Sequence, residues 1–331
     1  MHEIPELQIG VLAPHFGSGT NPERILRAGG LIEELGFDSV WVRDHLLWKP
    51  HGIEGTARTF VEPLAVLNSI GATTRRITLG TAVIIPLRWP MKLAQDLAAL
   101  EYLHGSRVIA GLGTGSNHAE LAAAGFDAAQ RRKIVSETAA IMRALWARDD
   151  VAHAGEVFTF ENASIEPKPA RPIPLWYGGT TASAIKFAAA GFDGWIGGRT
   201  PIRHLKALMD QATDLEGARE KPLRRGMIQL VQIHRRGKRP AIEVDPIALA
   251  MSTEGAHQYE GYSDQDLRGA ISTGDPSQVA ESLAELVAVG IDHMVIDLRL
   301  QFETFERDLE LIAKDVLPTL RRAVPRSGST I

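Results

Sequence analysis

Asp44 and His45 are the residues of this chain best placed, by type and spacing, to do chemistry. They follow directly on the β-branched run Val40-Trp41-Val42. A strand that ends in a carboxylate and an imidazole presents both from a loop on a rigid scaffold. Imidazole is the side chain whose unperturbed pKa suits proton transfer near neutrality, so the pair reads as an acid–base site. A loop histidine that only hydrogen-bonds backbone is the plain alternative. Two glycine-rich turns also follow strand-like runs: Gly111-Leu112-Gly113-Thr114-Gly115-Ser116-Asn117, and Gly178-Gly179-Thr180-Thr181, the latter opening directly into a helix. Glycine lets backbone amides approach an anion closely, and a helix N-terminus adds a positive dipole end. The hydroxyls of Thr114, Ser116, Thr180 and Thr181 can complete a phosphate's coordination. Tight turn geometry alone is the competing reading of each turn. Neither turn is a dinucleotide fingerprint, because Gly111, Gly113 and Gly115 are evenly spaced and no acidic residue closes a second strand about 20 residues on. His15, His45, His118, His234 and His257 could gather around a metal. However, no His-x-His pair is present, and a hydrolytic metal centre would leave the glycine turns without a role. No metal is expected.

These groups need a scaffold that brings strand ends together, and the hydrophobic pattern supplies one. Strand-like runs at 7–13, 39–42, 77–85, 107–112, 174–177, 194–196, 226–233 and 293–298 alternate with helix-like segments. The helical segments are 22–35, 61–73, 90–104, 118–148, 181–190, 202–215, 276–289 and 303–324. Gly36 is the stop of the first helix, Pro90 sits in a first helical turn, and Asp275 or Thr273 caps the helix that follows. Alternation of this kind means a parallel sheet covered on both faces. Eight repeats favour a closed (β/α)8 TIM barrel over an open doubly wound sheet. All eight carboxyl ends then open on one face, where active sites of this fold lie. That face gathers His15, Asp44-His45, Ala82-Val83, 113–117, 178–181, Arg199, His234 and Arg299. Residues 1–331 read as one barrel domain, with a small insertion at 151–171 and a lid or insertion segment at 234–275.

Composition narrows the classes further. The chain has 331 residues, long enough for a barrel, and at 44% hydrophobic and 23% charged it is ordinary for a globular protein. The absence of cysteine excludes disulfides, thiolate metal sites and cysteine nucleophiles. A formal net charge of -4 argues against a nucleic-acid surface. The Arg235-Arg236-Gly237-Lys238-Arg239 run reads as a solvated loop. The start, Met1-His2-Glu3-Ile4-Pro5-Glu6, lacks a basic region followed by an apolar core, and apolar runs such as 97–100 and 108–112 are too short to span a bilayer. A soluble cytoplasmic protein, without nucleic-acid or membrane partners, is the expectation.

With these residues in place, the chain resembles the bacterial luciferase-like superfamily of flavin and deazaflavin oxidoreductases. The resemblance runs from Ile9-Gly10-Val11 to Val295-Ile296. It is carried by Gly36-Phe37-Asp38-Ser39-Val40-Trp41, Asp44-His45, the stretch 74–83, the stretch 107–115 and Gly191-Phe192-Asp193-Gly194-Trp195. The Asp-His pair and the Gly-x-Gly-Thr-Gly turn are most similar to the branch that uses coenzyme F420, whereas the FMN monooxygenase branch more often has Glu-His. The resemblance implies an oxidoreductase passing hydride between F420 and a small organic substrate such as an alcohol, a sugar phosphate or an activated double bond. An FMN-dependent monooxygenase is the alternative, and a non-catalytic cofactor-binding protein the second.

Residue by residue, the resemblance implies that His45 lies beside the reactive ring as acid or base. Trp48 corresponds to an active-site tryptophan, although it falls one residue closer to the histidine. Asp44, the Ala82–Val83 step, Thr114, Gly115, Ser116, Asn117, Gly178, Gly179, Thr180 and Thr181 are the expected cofactor contacts, with a non-proline cis peptide or bulge at Ala82–Val83. Arg199 matches a basic position that holds substrate phosphate. His15, His234 and Arg299, at other strand ends, are expected to complete the substrate site. Ser116 stands where the sugar-phosphate dehydrogenases have an acidic residue, which points away from glucose 6-phosphate. A homodimer packed through segments 61–73 and 90–104 is also implied. Their apolar residues (Leu64, Val66, Leu67 and Ile70; Leu93, Leu97 and Leu100) exceed one buried stripe.

Overall fold

A computed structural model describes residues 6–47, 57–217, 219–238, 243–251 and 256–323. In chain order the strands are β1 (Gln8–Leu12), β2 (Ser39–Val42), β3 (Thr78–Thr81), β4 (Val108–Gly113), β5 (Val151–Ala154), β6 (Thr159–Ala163), β7 (Leu175–Gly178), β8 (Gly194–Gly198), β9 (Arg224–Ile233), β10 (Ile271–Gly274) and β11 (His293–Asp297). All but β5, β6 and β10 form the barrel. They pair in parallel in the order β1-β2-β3-β4-β7-β8-β9-β11, and β11 returns to β1 with Gln8 opposite His293. The eight-stranded barrel is therefore closed.

The helices are α1 (Pro22–Glu34), α2 (Pro63–Thr73), α3 (Pro90–His104), α4 (His118–Ala123), α5 (Arg131–Ala147), α6 (Ala182–Gly191), α7 (Ile202–Glu216), α8 (Pro246–Met251), α9 (Pro276–Ala288), α10 (Phe305–Asp315) and α11 (Leu317–Ala323). Local chemistry sets their ends. Asn21 caps α1 by accepting from the Arg24 amide, Pro22 opens it, and Gly36 leaves it with φ of 82°. Asp275, not Thr273, caps α9, in a reciprocal capping box with Gln278. Among the described residues no helix is long and apolar enough to cross a membrane.

The barrel's interior is filled by alternating bulk and absence. Trp41 on β2 and Trp176 on β7 lie with ring centroids 5.5 Å apart, and His293 on β11 meets both edge-on. Neighbouring strands supply glycine where these rings press. A Cβ on Gly80 would stand 2.4 Å from the Trp41 ring, and one on Gly194 2.5 Å from the Trp176 ring. The polar edges are paired inside the core. The Trp41 Nε1–H donates to Ser39 Oγ at 2.8 Å, and Ser39 Oγ lies 2.9 Å from His293 Nε2. Burial, reinforced by Arg224, pushes the His293 pKa down to about 3, so the ring is neutral here.

Several elements depart from the expected pattern. The ladder of β3 stops at Thr81, where the expected strand ran to 85, and the next step, Ala82–Val83, is a non-proline cis peptide. Segment 118–148 is α4, a 3-10 turn (Ala128–Gln130) and α5. The closing helix 303–324 is two helices, because Pro318 lacks an N–H and collides with the preceding turn in mid-helix but fits a first turn. Segment 151–171 carries the antiparallel β5–β6 pair. In segment 234–275, β10 pairs with Leu230–Ile233 of β9, beyond the stretch of β9 that β8 covers.

Candidate active site

Arg43, Asp44 and His45 leave β2 at the carboxyl mouth, and each is held by a different element. The buried Asp44 carboxylate accepts from Arg88 at 3.0 and 3.1 Å and from the Ile85 amide at 3.2 Å. It thereby ties the end of β2 to the loop that follows the cis step. Burial drives its pKa up to about 6, although Arg88 and the Ile85 amide oppose the rise. His45 Nδ1 lies 3.2 Å from both oxygens of Glu120, which also accepts the Leu47 amide at 3.0 Å. His45 Nε2 lies 3.2 Å from Arg43 Nη2, and the ring packs edge-on against Phe60.

These partners fix the tautomer. Glu120 is 1% exposed. Burial by itself would raise its pKa, but the hydrogen bonds from His45 and from the Leu47 and Leu46 amides outweigh it and hold the carboxyl below its ordinary range. An ionised carboxylate only accepts and a guanidinium only donates. His45 therefore carries its proton on Nδ1 and keeps the Nε2 lone pair toward Arg43. A base held by a carboxylate on its far nitrogen is the arrangement by which an imidazole is oriented for proton transfer.

His15 is fully buried, with both nitrogens in use: Nδ1 at 3.0 Å from the Val61 carbonyl, and Nε2 accepting the Arg43 amide at 3.1 Å. Burial, helped by the charges of Arg43 and Arg299, lowers its pKa to about 4. This places it behind the site as a brace between the ends of β1 and β2, with no nitrogen left for a substrate. Arg299 is likewise committed: its Nε donates to Asp297 at 2.7 Å within a pair almost out of solvent. The guanidinium carbons of Arg43 and Arg299 lie 4.8 and 5.3 Å from the centroid of Phe16. Arg199 ends β8 in the left-handed region at φ of 49°, and His234 ends β9, part-exposed; both lie on the far strands. Trp48 lies outside the described residues.

The expected cofactor pieces converge. Val83 packs between the two glycine turns, since a Cβ on Gly113 or Gly178 would meet its side chain at 2.4 or 2.6 Å. Gly115 takes φ of 66° with Ile85 against it, a backbone that only glycine adopts without strain. Thr114 hydrogen-bonds the Tyr177 phenol, and Ser116 is exposed. Asn117 and Thr181 are helix caps, accepting from the amides of Ala119 and Ala184 at 3.1 Å each. The Gly179 amide is already spent on the Ile196 carbonyl, and the Thr180 carbonyl meets His204 Nε2. The donors for an anion therefore shift toward the first two residues of α6, Ala182 and Ser183, since the amides of Ala184 and Ile185 already bond Thr181. Arg132 reaches that turn, donating to Ser183 Oγ at 3.2 Å. Backbone amides, hydroxyls and a guanidinium gathered at one turn are a donor set that fits a phosphate.

Glu120, Arg43, Phe60 and Arg88 were missed by the reading of the sequence. For Glu120 a signal existed but pointed elsewhere. Asn117-x-x-Glu120 has the spacing of a capping box, in which the N3 carboxylate turns back on its own helix. Here it faces His45 instead. Arg43, beside the pair that was singled out, carried no periodicity or motif of its own.

A sequence profile described as luciferase-like monooxygenase matches residues 7–234. An F420-dependent glucose-6-phosphate dehydrogenase of Intrasporangium calvum is 30% identical, over 93% of this chain and 97% of that one. Two solved structures share the fold. One is an F420-dependent secondary alcohol dehydrogenase in complex with an F420-acetone adduct, with TM-score 0.73 and 20% identity over 95% of this chain and 99% of that one. The other is the type II Baeyer–Villiger monooxygenase, the oxygenating constituent of 3,6-diketocamphane monooxygenase from the CAM plasmid of Pseudomonas putida, in complex with FMN. Its TM-score is 0.72 and its identity 16%, over 95% of this chain and 98% of that one.

Proposed function

The chain belongs to the luciferase-like monooxygenase family, and from that premise we propose that it is an F420-dependent oxidoreductase acting on a small hydroxyl- or carbonyl-bearing substrate. The observation that carries the reading is the Glu120–His45 pair beside a phosphate-fitting cradle at the barrel mouth. F420 is favoured over FMN because the curated relatives are named for it over nearly their whole length. When bound, F420 supplies the hydride acceptor or donor.

The chain's own part is binding, orientation and the proton. The first turn of α6, with Arg132, Thr114 and the hydroxyl of Thr180, holds the cofactor phosphate, and Val83 with the cis step floors the cavity. His45 Nε2 takes the proton of a substrate hydroxyl, or returns it in the reverse direction. Glu120 keeps the imidazole turned and stabilises it when charged. Arg199 and His234, on the far strands, contact the substrate, and segment 234–275 walls it. Ser116 leaves the glycine turn without an acidic side chain at its tip, so the substrate need not be the one for which the relatives are named. The chain works in the cytoplasm as a homodimer. Most apolar residues of α2 and α3 are buried against the barrel, so the dimer contact falls to the exposed Trp89, Tyr102 and Leu103.

Titration with F420 and with FMN, each followed by fluorescence, tests the cofactor. Saturable F420 binding with weak FMN binding is expected; the opposite order would move the chain to the monooxygenases. In a screen of sugar phosphates, simple alcohols and activated enones, His45→Ala should keep F420 affinity and lose at least ~100-fold in turnover, the low end of what a general acid or base contributes.

A further inference from the structure

The amino end of the barrel, opposite the mouth, holds a cavity of about 1070 Å³. Its walls come from where strands begin: Ile109 in β4, Pro174 ahead of β7, Asp193 ahead of β8 and Arg224 at the first position of β9. Trp146, Trp176, Pro169, Pro172 and Ile173 add apolar surface. The prolines stiffen the run before β7, and Glu101 anchors it by accepting the Ala170 amide at 3.2 Å, so this wall is set before anything binds. Charge in the lining is uneven. Arg143, Arg171, Arg219, Lys221 and Arg224 stand against the carboxylates of Glu6 and Asp193. Asp193 is committed to Arg143 at 3.1 Å and to the Leu175 amide at 2.8 Å. Arg219 donates to the carbonyls of Ala189, Lys221 and Phe192. Among the described residues the side chains of Arg171 and Lys221, both exposed, have no hydrogen-bond or ion-pair partner. Arg224 gives its Nε to Asp292 at 2.9 Å, while its Nη2 is buried with no acceptor. A buried donor left over in this way is rare enough to need a reason.

We propose that this cavity is a second binding site, for a small molecule that joins an apolar body to a carboxylate. Its size is that of a ligand pocket, and an apolar lining with a few charged groups is how such pockets combine affinity with orientation. The body lies against the tryptophans and the proline run, and the carboxylate is drawn to Arg171 and Lys221, whose charges no protein carboxylate takes up. An arginine fork gives a carboxylate two parallel hydrogen bonds, and a lysine adds a compact charge. Glu6 opposes the anion. It is outnumbered by Arg171, Lys221 and Arg224, of which Asp292 offsets one. The His45–Glu120 pair and the glycine turns lie past the opposite ends of the strands, since β7 runs from the cavity at Pro174 to the turn at Gly178. The site is therefore separate from the proposed reaction and stands or falls without it.

The test is a titration by calorimetry and needs no turnover. Phenylbutanoate and decanoate, an aromatic and an aliphatic carboxylate, are the probes, and at least one should bind the full chain saturably at a single site. The matching neutral alcohol should bind about tenfold more weakly, the effect of losing a hydrogen bond to a charged group. The double variant Arg171→Gln with Lys221→Gln should weaken the carboxylate by about the same factor and leave the alcohol unchanged. Ala147→Trp fills the cavity from the exposed last residue of α5 and should abolish binding of both. Gly115→Val, at the opposite end of the barrel, should bind the carboxylate as wild type does. Circular dichroism confirms that each variant is folded; these positions are exposed or at a turn, so native spectra are expected. Four results would overturn the proposal: no saturable binding of either carboxylate, equal affinity for acid and alcohol, wild-type affinity in the double variant or in Ala147→Trp, or loss of binding in Gly115→Val, which would put the ligand at the mouth.

Discussion

Acid should weaken this barrel through two histidines that it keeps neutral. Burial lowers the pKa of His15 to about 4 and that of His293 to about 3, with Arg43 and Arg299 adding to the effect at the first and Arg224 at the second. Unfolding returns both rings toward the ordinary 6.5, so below that pH the unfolded chain binds more protons and stability falls as pH drops. Each histidine removes about 1.4 kcal/mol per pH unit, or about 4 kcal/mol for the two between pH 6.5 and about pH 5. Asp44 runs the other way. Its folded pKa is raised to about 6, so the folded state holds a proton that the unfolded chain has released. Stability gains about 1.4 kcal/mol from Asp44 as pH falls from 6 to about 5. For these three groups together the loss over the window is about 3 kcal/mol. His15→Gln isolates one contributor. It loses about 1–3 kcal/mol at neutral pH if the Val61 and Arg43 backbone groups are left unpaired. Its pH slope over the window should nonetheless be shallower than wild type by about 1.4 kcal/mol per unit. Urea denaturation at several pH values between about 7 and 5, followed by circular dichroism, measures that slope. Parallel stability–pH curves for the two proteins would refute the assignment of a neutral, buried His15.

Three further outcomes follow from the geometry. Gly115→Val forces a β-branched residue to φ of 66° and a Cβ about 3.0 Å from Ile85; F420 affinity should fall at least about tenfold, near 1.4 kcal/mol, in a protein with native circular dichroism, and unchanged affinity would make the turn purely structural. Gly80→Ala sets a methyl 2.4 Å from the Trp41 ring and should cost about 1–3 kcal/mol by overpacking, read as a lower urea midpoint with unchanged slope. Light scattering at micromolar concentration should give a dimer mass, and Leu103→Lys paired with Tyr102→Glu should give monomers; a monomeric wild type would remove the α3 interface.

What the sequence determined by itself is what depends on near neighbours along the chain. Strand and helix periodicity, the Gly36 stop, the Asp275 cap and the arrival of Asp44, His45 and the glycine turns at strand ends all follow from residues within a few positions of each other. Eight such repeats leave few ways to close other than a barrel. The break in the last helix was also written locally, in Pro318, and the periodicity of the flanking apolar residues masked it. Tertiary structure decided which polar groups remain for chemistry. Glu120 meets His45 across 75 residues, Asp44 is consumed by Arg88 across 44, and His15 by Val61 across 46. The Gly179 amide, expected at a phosphate, is taken by Ile196 on the next strand. The physical reason is that a buried donor or acceptor must be paired, and its partner is set by barrel closure and strand register rather than by spacing along the chain. Residue type made His15, His45 and Arg299 look alike as candidates. Pairing in the closed barrel left His15 and Arg299 as supports and set His45 against Glu120 at the mouth.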